Sequence, residues 1–186
     1  VANITDFHGR WAFDSKGKIP GALNLKCELD KAEEAAGADS FAFTSSGDNI
    51  GASPFASKLL NDAPTLEILN LMNLQVSALG NHELDEGAAD FSDRVTATAK
   101  FDYLAANAKT VENTKDYVVK DLDGAKVAFI GTVTDDIVVD LPTGTLVDAL
   151  ITAAGSIEGV DVDSIRPFTG RVDRRGQIEM LARIAS

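Results

Sequence analysis

Short apolar runs alternate with amphipathic stretches along the first 136 residues. Val1–Thr5 and Ser40–Ser45 have the length of short strands, the second through Phe41-Ala42-Phe43. Leu74–Leu79 and Lys126–Val133 (Lys-Val-Ala-Phe-Ile-Gly-Thr-Val) are apolar and rich in β-branched residues, which predicts buried strands. Between the first two runs, Leu23, Leu25, Leu29, Ala32 and Ala36 give a helix one apolar face, ending near Gly37. Phe55–Met72 reads as two helical pieces, with Pro64 at the first turn of the second. Glu86–Lys100 is a weaker helix, and Phe101–Asn107 a further strand. This β-α-β-α rhythm predicts the α/β class: a layered sheet and helices joined by right-handed crossovers.

The last 50 residues differ in character. They carry helical patterns at Thr145–Ala154 and Gln177–Ala185 and no long strand. All ten lysines precede Ile137, whereas five of the seven arginines follow it. That shift divides the chain into 1–136 and a mainly helical, unassigned segment 137–186. Two explanations stay open: a helical subregion, or a discontinuity in the chain at Asp136/Ile137.

Composition narrows the function. A chain of 186 residues, 45% hydrophobic and 25% charged, suits one globular domain with a core. Its 17 basic and 29 acidic side chains give a net charge of −12, which disfavours a nucleic acid polymer or an anionic membrane surface. A phosphate-bearing substrate is repelled too, unless a cation sits in the site. The single cysteine, Cys27, excludes an intrachain disulfide and a cysteine-built zinc cluster. No run approaches the roughly 18 apolar residues of a membrane span. The opening Val-Ala-Asn-Ile-Thr shows no signal-peptide pattern, as a processed mature chain also would not.

Three polar clusters follow directly on three of the apolar runs. Asp6-Phe7-His8-Gly9-Arg10 sets Asp6 and His8 at strand spacing, on one side, so that both can reach one cation. Ser46-Gly47-Asp48-Asn49-Ile50-Gly51 brackets an aspartate with glycines. Gly80-Asn81-His82-Glu83-Leu84-Asp85 gathers four polar side chains that no turn needs together. Ligands of open α/β sheets bind beyond the carboxyl ends of the strands, so these clusters, with both histidines of the chain, fall on one rim. The mixed oxygen and nitrogen donors suit Zn²⁺, Mn²⁺ or Fe, with Mg²⁺ or Ca²⁺ as further candidates. Other residues read as structure: Trp11 and Phe13 as packing over the sheet, Cys27 as a small buried hydrophobe, and Glu28, Asp30, Glu33 and Glu34 as a wet helix face.

In this order the three motifs resemble those of the calcineurin-like metallophosphoesterases, closest to the 5′-nucleotidase and 2′,3′-cyclic-nucleotide phosphodiesterase branch. Gly131-Thr132-Val133-Thr134 after the Val-Ala-Phe-Ile run is similar to a turn of the same branch. The resemblance covers about Val1 to Asp136. It implies two divalent metal ions: Asp6 and His8 on the first, Asp48 bridging both, Asn81 on the second. It further implies His82 as a catalytic group beside the phosphate, oriented by Asp85. The implied reaction is attack of a metal-bound hydroxide on a nucleotide or other small phosphate ester, in a protein exported to the cell wall, periplasm or exterior. The sequence also departs from the pattern. The family adds a lone Gly-His and a later Gly-His-x-His, and no histidine follows His82 here. The segment Phe168–Asp173 is only weakly similar to that later motif, with Arg171 and Asp173 at the histidine positions; a solvated basic turn is the simpler account. A second expectation is therefore a non-catalytic fragment or degenerate member that keeps the fold and acts by binding. Oligomeric state is left open.

Overall fold

The computed structural model describes residues 1–134, 146–158 and 180–183. Among them, seven strands form two sheets. The first is parallel, in the order β1 (Ala2–Ile4), β2 (Phe43–Ser45), β3 (Val76–Ala78), β4 (Asp102–Leu104). Its register sets Ile4 beside Ser45, Ser45 beside Ser77, and Ser77 beside Tyr103. The second is antiparallel: β5 (Tyr117–Leu122), β6 (Ala125–Ile130) and β7 (Met180–Arg183).

Helices link the parallel strands. The long α1 (Gly21–Ala36) precedes β2 and ends at Gly37, which takes φ 87°. The short α2 (Phe55–Lys58) and α3 (Ala63–Leu71) precede β3, with proline in the first turn of α3. Between β3 and β4 run α4 (Ala88–Asp90), a π-helical segment Phe91–Val95 and α5 (Thr96–Thr98).

Strand alternation sorts the core into layers. Phe43 and Tyr103 join Leu29, Leu66, Leu69, Phe91 and Val95 on the helical side of the parallel sheet. Ala42, Val76 and Leu104 face the other way, meeting Val118 and Phe129 of the antiparallel sheet. On β6 the neighbours of Phe129, Ala128 and Ile130, pack instead against α6 (Leu146–Gly155) through Leu150, Ala153 and Ala154. The α/β layering expected from sequence is present, with corrections. The run Lys126–Val133 supplies a strand of the second, antiparallel sheet rather than of the parallel one. It is joined to β5 by the two-residue Asp123-Gly124 turn, both residues at positive φ, the geometry of tight hairpins. The Gln177–Ala185 helical pattern is overturned over Met180–Arg183, which pairs with β6 as a strand. The 136/137 boundary and the segment 163–173 lie outside the described residues.

Three side-chain expectations also change. Cys27 is exposed, because α1 buries the stripe of Ala22, Leu25 and Leu29, and Cys27 stands about 200° round the helix from Leu25. Leu23 is off the stripe for the same reason and is 79% exposed. Phe13 is 70% exposed rather than packed over the sheet, while Trp11 is half-buried. Glu28, Asp30 and Glu34 are solvated and Glu33 half-buried, with Lys31 pairing Glu28 and Lys26 pairing Asp30.

Candidate metal centre

Adjacent parallel strands end side by side, so the loops after β1, β2 and β3 leave the sheet together. Backbone bonds then zip the first two loops: Ser46 N to Ile4 O (2.9 Å), Asp6 N to Gly47 O (3.2 Å), His8 N to Asp48 O (2.9 Å) and Gly9 N to Asn49 O (3.0 Å). The buried Asn49 ties β2 to β3, accepting from Ser45 Oγ (2.7 Å) and pairing its amide nitrogen with Ser77 Oγ (2.8 Å). The third loop closes on the second at Gly80, where a Cβ would stand 2.2 Å from both the Asp48 nitrogen and its Oδ1. Asp6, His8 and Asp48 all lie at left-handed φ (53°, 45° and 56°). Such conformations cost on the order of 1–3 kcal/mol each outside glycine and cluster at functional sites.

The side chains converge. His8, Asp48 and His82 each offer a ligand atom, and the three atoms lie within 4.8 Å of one another. The imidazoles of His8 and His82 meet edge to face, with centroids 4.9 Å apart. Asp48 Oδ1 accepts the His82 backbone N–H at 3.0 Å. His8 Nδ1 donates to the Gly51 carbonyl at 2.9 Å, and Nε2 lies 3.6 Å from Asp6 Oδ1. His82 Nδ1 lies 3.1 Å from both carboxylate oxygens of Asp85, which fixes that ring and leaves its Nε2 available. Asn81 opens the same loop, half-buried, immediately before the turn His82–Leu84. The three loops that carry Asp6, His8, Asp48, Asn81, His82 and Asp85 do meet, and the His82 ring stands beside His8 and within 4.8 Å of the donor atoms of His8 and Asp48.

Asp48 Oδ2 provides the test of whether a cation fits. It is buried and has no hydrogen-bond partner among the described residues. A carboxylate oxygen taken out of water needs a compensating donor or a positive charge. Ring nitrogens of His8 and His82 lie within 4.8 Å of a carboxylate oxygen of Asp48, and this mixed donor set fits a divalent cation.

Glu83 is the residue whose part sequence did not assign. It is 2% exposed, and its carboxylate accepts three backbone N–H groups: Asp48 (2.9 Å), Asn49 (2.7 Å) and Gly80 (3.0 Å). It is the clasp between the second and third loops. Burial, and after it the Asp48 carboxylate, push its pKa up to about 8 against the pull of the backbone donors. The available signal was the Gly-Asn-His-Glu stretch itself, since a fourth polar residue there exceeds what a turn requires. A cleft of about 720 Å³ beside the Phe91–Val95 segment, lined by Ser92, Thr96, Phe101, Asp102 and Lys115, shares none of these residues.

The four-stranded parallel sheet backed by an antiparallel one is a fold that the chain shares with solved nucleotidase structures. The chain superposes on the NAD nucleotidase NadN of Haemophilus influenzae with a TM-score of 0.70 at 22% identity, covering 82% of this chain and 30% of that one. A 5′-nucleotidase precursor from Thermus thermophilus gives 0.67 at 19% identity, covering 82% and 33%. In sequence, the chain is 35% identical over 170 residues to the cell wall protein Lmo0130 of Listeria monocytogenes, a match over 74% of this chain and 22% of that protein. No family model matches the chain. The chain thus spans between about a fifth and a third of the length of these relatives.

Proposed function

We propose that this protein is a metal-dependent phosphoesterase, hydrolysing nucleotide 5′-monophosphates or related small phosphate esters. The observation that carries the reading is the convergence of His8, Asp48 and His82, with a buried Asp48 oxygen that has no hydrogen-bond partner among the described residues. The fold shared with a 5′-nucleotidase and an NAD nucleotidase supports nucleotides as the substrate class. Asp6 and His8 would hold one ion, Asp48 would lie between two, and Asn81 would serve the second. Divalent ions in such a site neutralise phosphate charge and acidify water. They also answer the net charge of −12, which otherwise repels the substrate.

The protein's own groups supply the rest. Asp85 holds His82 through Nδ1, so a protonated His82 presents Nε2–H and can give that proton to the departing ester oxygen. Glu83 keeps the loop bearing Asp48 and the loop bearing His82 at fixed spacing. Residues 1–136 serve in this reading as the N-terminal part of a catalytic domain. A place outside the cytoplasm is part of the proposal and is supported by the cell-wall naming of Lmo0130. A second reading, binding without turnover, is favoured by the presence of only two histidines in the 186 residues.

Phosphate release from AMP, measured on the chain supplemented with Mn²⁺ or Zn²⁺, tests the proposal. Turnover is expected in the wild type and its loss in Asp48→Ala and His82→Ala, by at least about 100-fold. Equal turnover in Asp48→Ala would sink the assignment. Cation binding without any turnover would select the second reading.

A further inference from the structure

Asp62 stands directly before α3, in the position of a helix N-cap, with φ 59°, yet its side chain caps nothing. An aspartate there ordinarily accepts from the first amides of its own helix. Here Oδ2 accepts the Gly51 N–H at 3.2 Å and Oδ1 accepts the Ser57 hydroxyl at 2.7 Å. Asp62 is 6% exposed, Ser57 and Thr65 are fully buried, and the Ser57 and Thr65 hydroxyls touch at 2.5 Å. A buried carboxylate on a left-handed backbone is costly twice over. The cost is offset by what the carboxylate holds.

What it holds is Gly51. That residue lies at φ +72°, and a Cβ on it would meet the His82 carbonyl at 2.4 Å, so only glycine fits. The Gly51 carbonyl in turn accepts from His8 Nδ1 at 2.9 Å. A carbonyl can only accept, so Nδ1 carries a proton, and in the neutral ring the lone pair is then on Nε2, toward Asp6. We propose that Asp62 is a positioning residue for His8: through Gly51 it fixes the tautomer and heading of the imidazole and so presents Nε2 to a divalent cation. The inference rests on the reading of His8 as a ligand. A ligating histidine is commonly oriented by a partner on its other nitrogen. Here that partner is a backbone carbonyl, and Asp62 determines where it stands.

The experiment combines ¹⁵N NMR of the histidine rings in the metal-free protein with calorimetric titration by Zn²⁺. The wild type is expected to show His8 as the Nδ1–H tautomer and to bind the ion. Asp62→Ala is expected to mix the tautomers and weaken Zn²⁺ binding by about 10- to 100-fold. Asp62→Asn, whose amide oxygen can accept from Gly51 and whose amide nitrogen can donate to Ser57 Oγ, should rescue both to within about threefold. A folded Asp62→Ala protein with wild-type tautomer and affinity overturns the inference. Should Asp62→Ala not fold, Ser57→Ala, which frees Oδ1 alone, must shift both readouts in the same direction. Wild-type behaviour in that variant overturns the inference equally. A wild-type chain that takes up no Zn²⁺ overturns the metal reading itself, whereas uptake indifferent to Asp62 overturns only this step.

Discussion

Glu83 shows what a single buried carboxylate contributes here. Its three acceptor bonds go to backbone amides, two of them on a loop 34 and 35 positions earlier in the chain. Removing it leaves three buried N–H groups without a partner, each worth about 1–3 kcal/mol of lost desolvation. Partial solvation of the gap recovers some of that, so Glu83→Ala is expected to destabilise by about 3 kcal/mol in urea unfolding. A midpoint equal to the wild type would remove the clasp from the account. The same residue marks where sequence reading stopped. The convergence of the loops bearing Asp6, His8, Asp48, Asn81, His82 and Asp85 was legible because few structural tasks call for such side chains in that order. Glu83 and Asp62 act on backbone amides, and an amide leaves no trace in the sequence that would point to its partner.

At the scale of elements, β6 does most to join the layers. Phe129 is fully buried against the parallel sheet, while Ala128 and Ile130 on either side face α6. Phe129→Ala is therefore expected to open a cavity between the sheets and cost about 3–5 kcal/mol. Chemical denaturation checks this; a loss below about 1 kcal/mol would mean that the sheets collapse onto the gap. The existence of β6 was visible as an apolar run, but its sheet was not. Helices and strands alternate locally up to β4, and nothing in Lys126–Val133 states which neighbour it pairs with. The Asp123-Gly124 pair carried that information, as the turn of a hairpin. The preceding Tyr-Val-Val-Lys-Asp-Leu of β5 has only Val118 buried, and so shows too little apolar alternation to be read as a strand alone. For α1 the leucines and alanines predicted the helix correctly but made its buried stripe too wide, since Leu23, Ala32 and Ala36 are exposed.

The proposed metal centre belongs to the molecule as a whole. Asp6, His8, Asp48 and His82 span 77 positions of sequence, and they meet only because β1, β2 and β3 pair in register. The unfolded chain has no such site, so cation binding must be linked to global folding. With free Zn²⁺ or Mn²⁺ at a hundred times its Kd, the linkage amounts to about 2.7 kcal/mol. For a chain of this size that is a rise of roughly 5–10 °C in Tm. Thermal unfolding with added metal, then with excess chelator, should show the rise and its reversal. Asp48→Ala, which removes the buried oxygen at the centre of the cluster, should unfold at one temperature in both conditions. The strands alone would give no such response, since a sheet without converging donors has nothing to exchange for the hydration shell of the ion. A wild-type Tm indifferent to metal would leave the three loops as a structural junction. A metal-dependent Tm that persists in Asp48→Ala would place the ion elsewhere on the acidic surface.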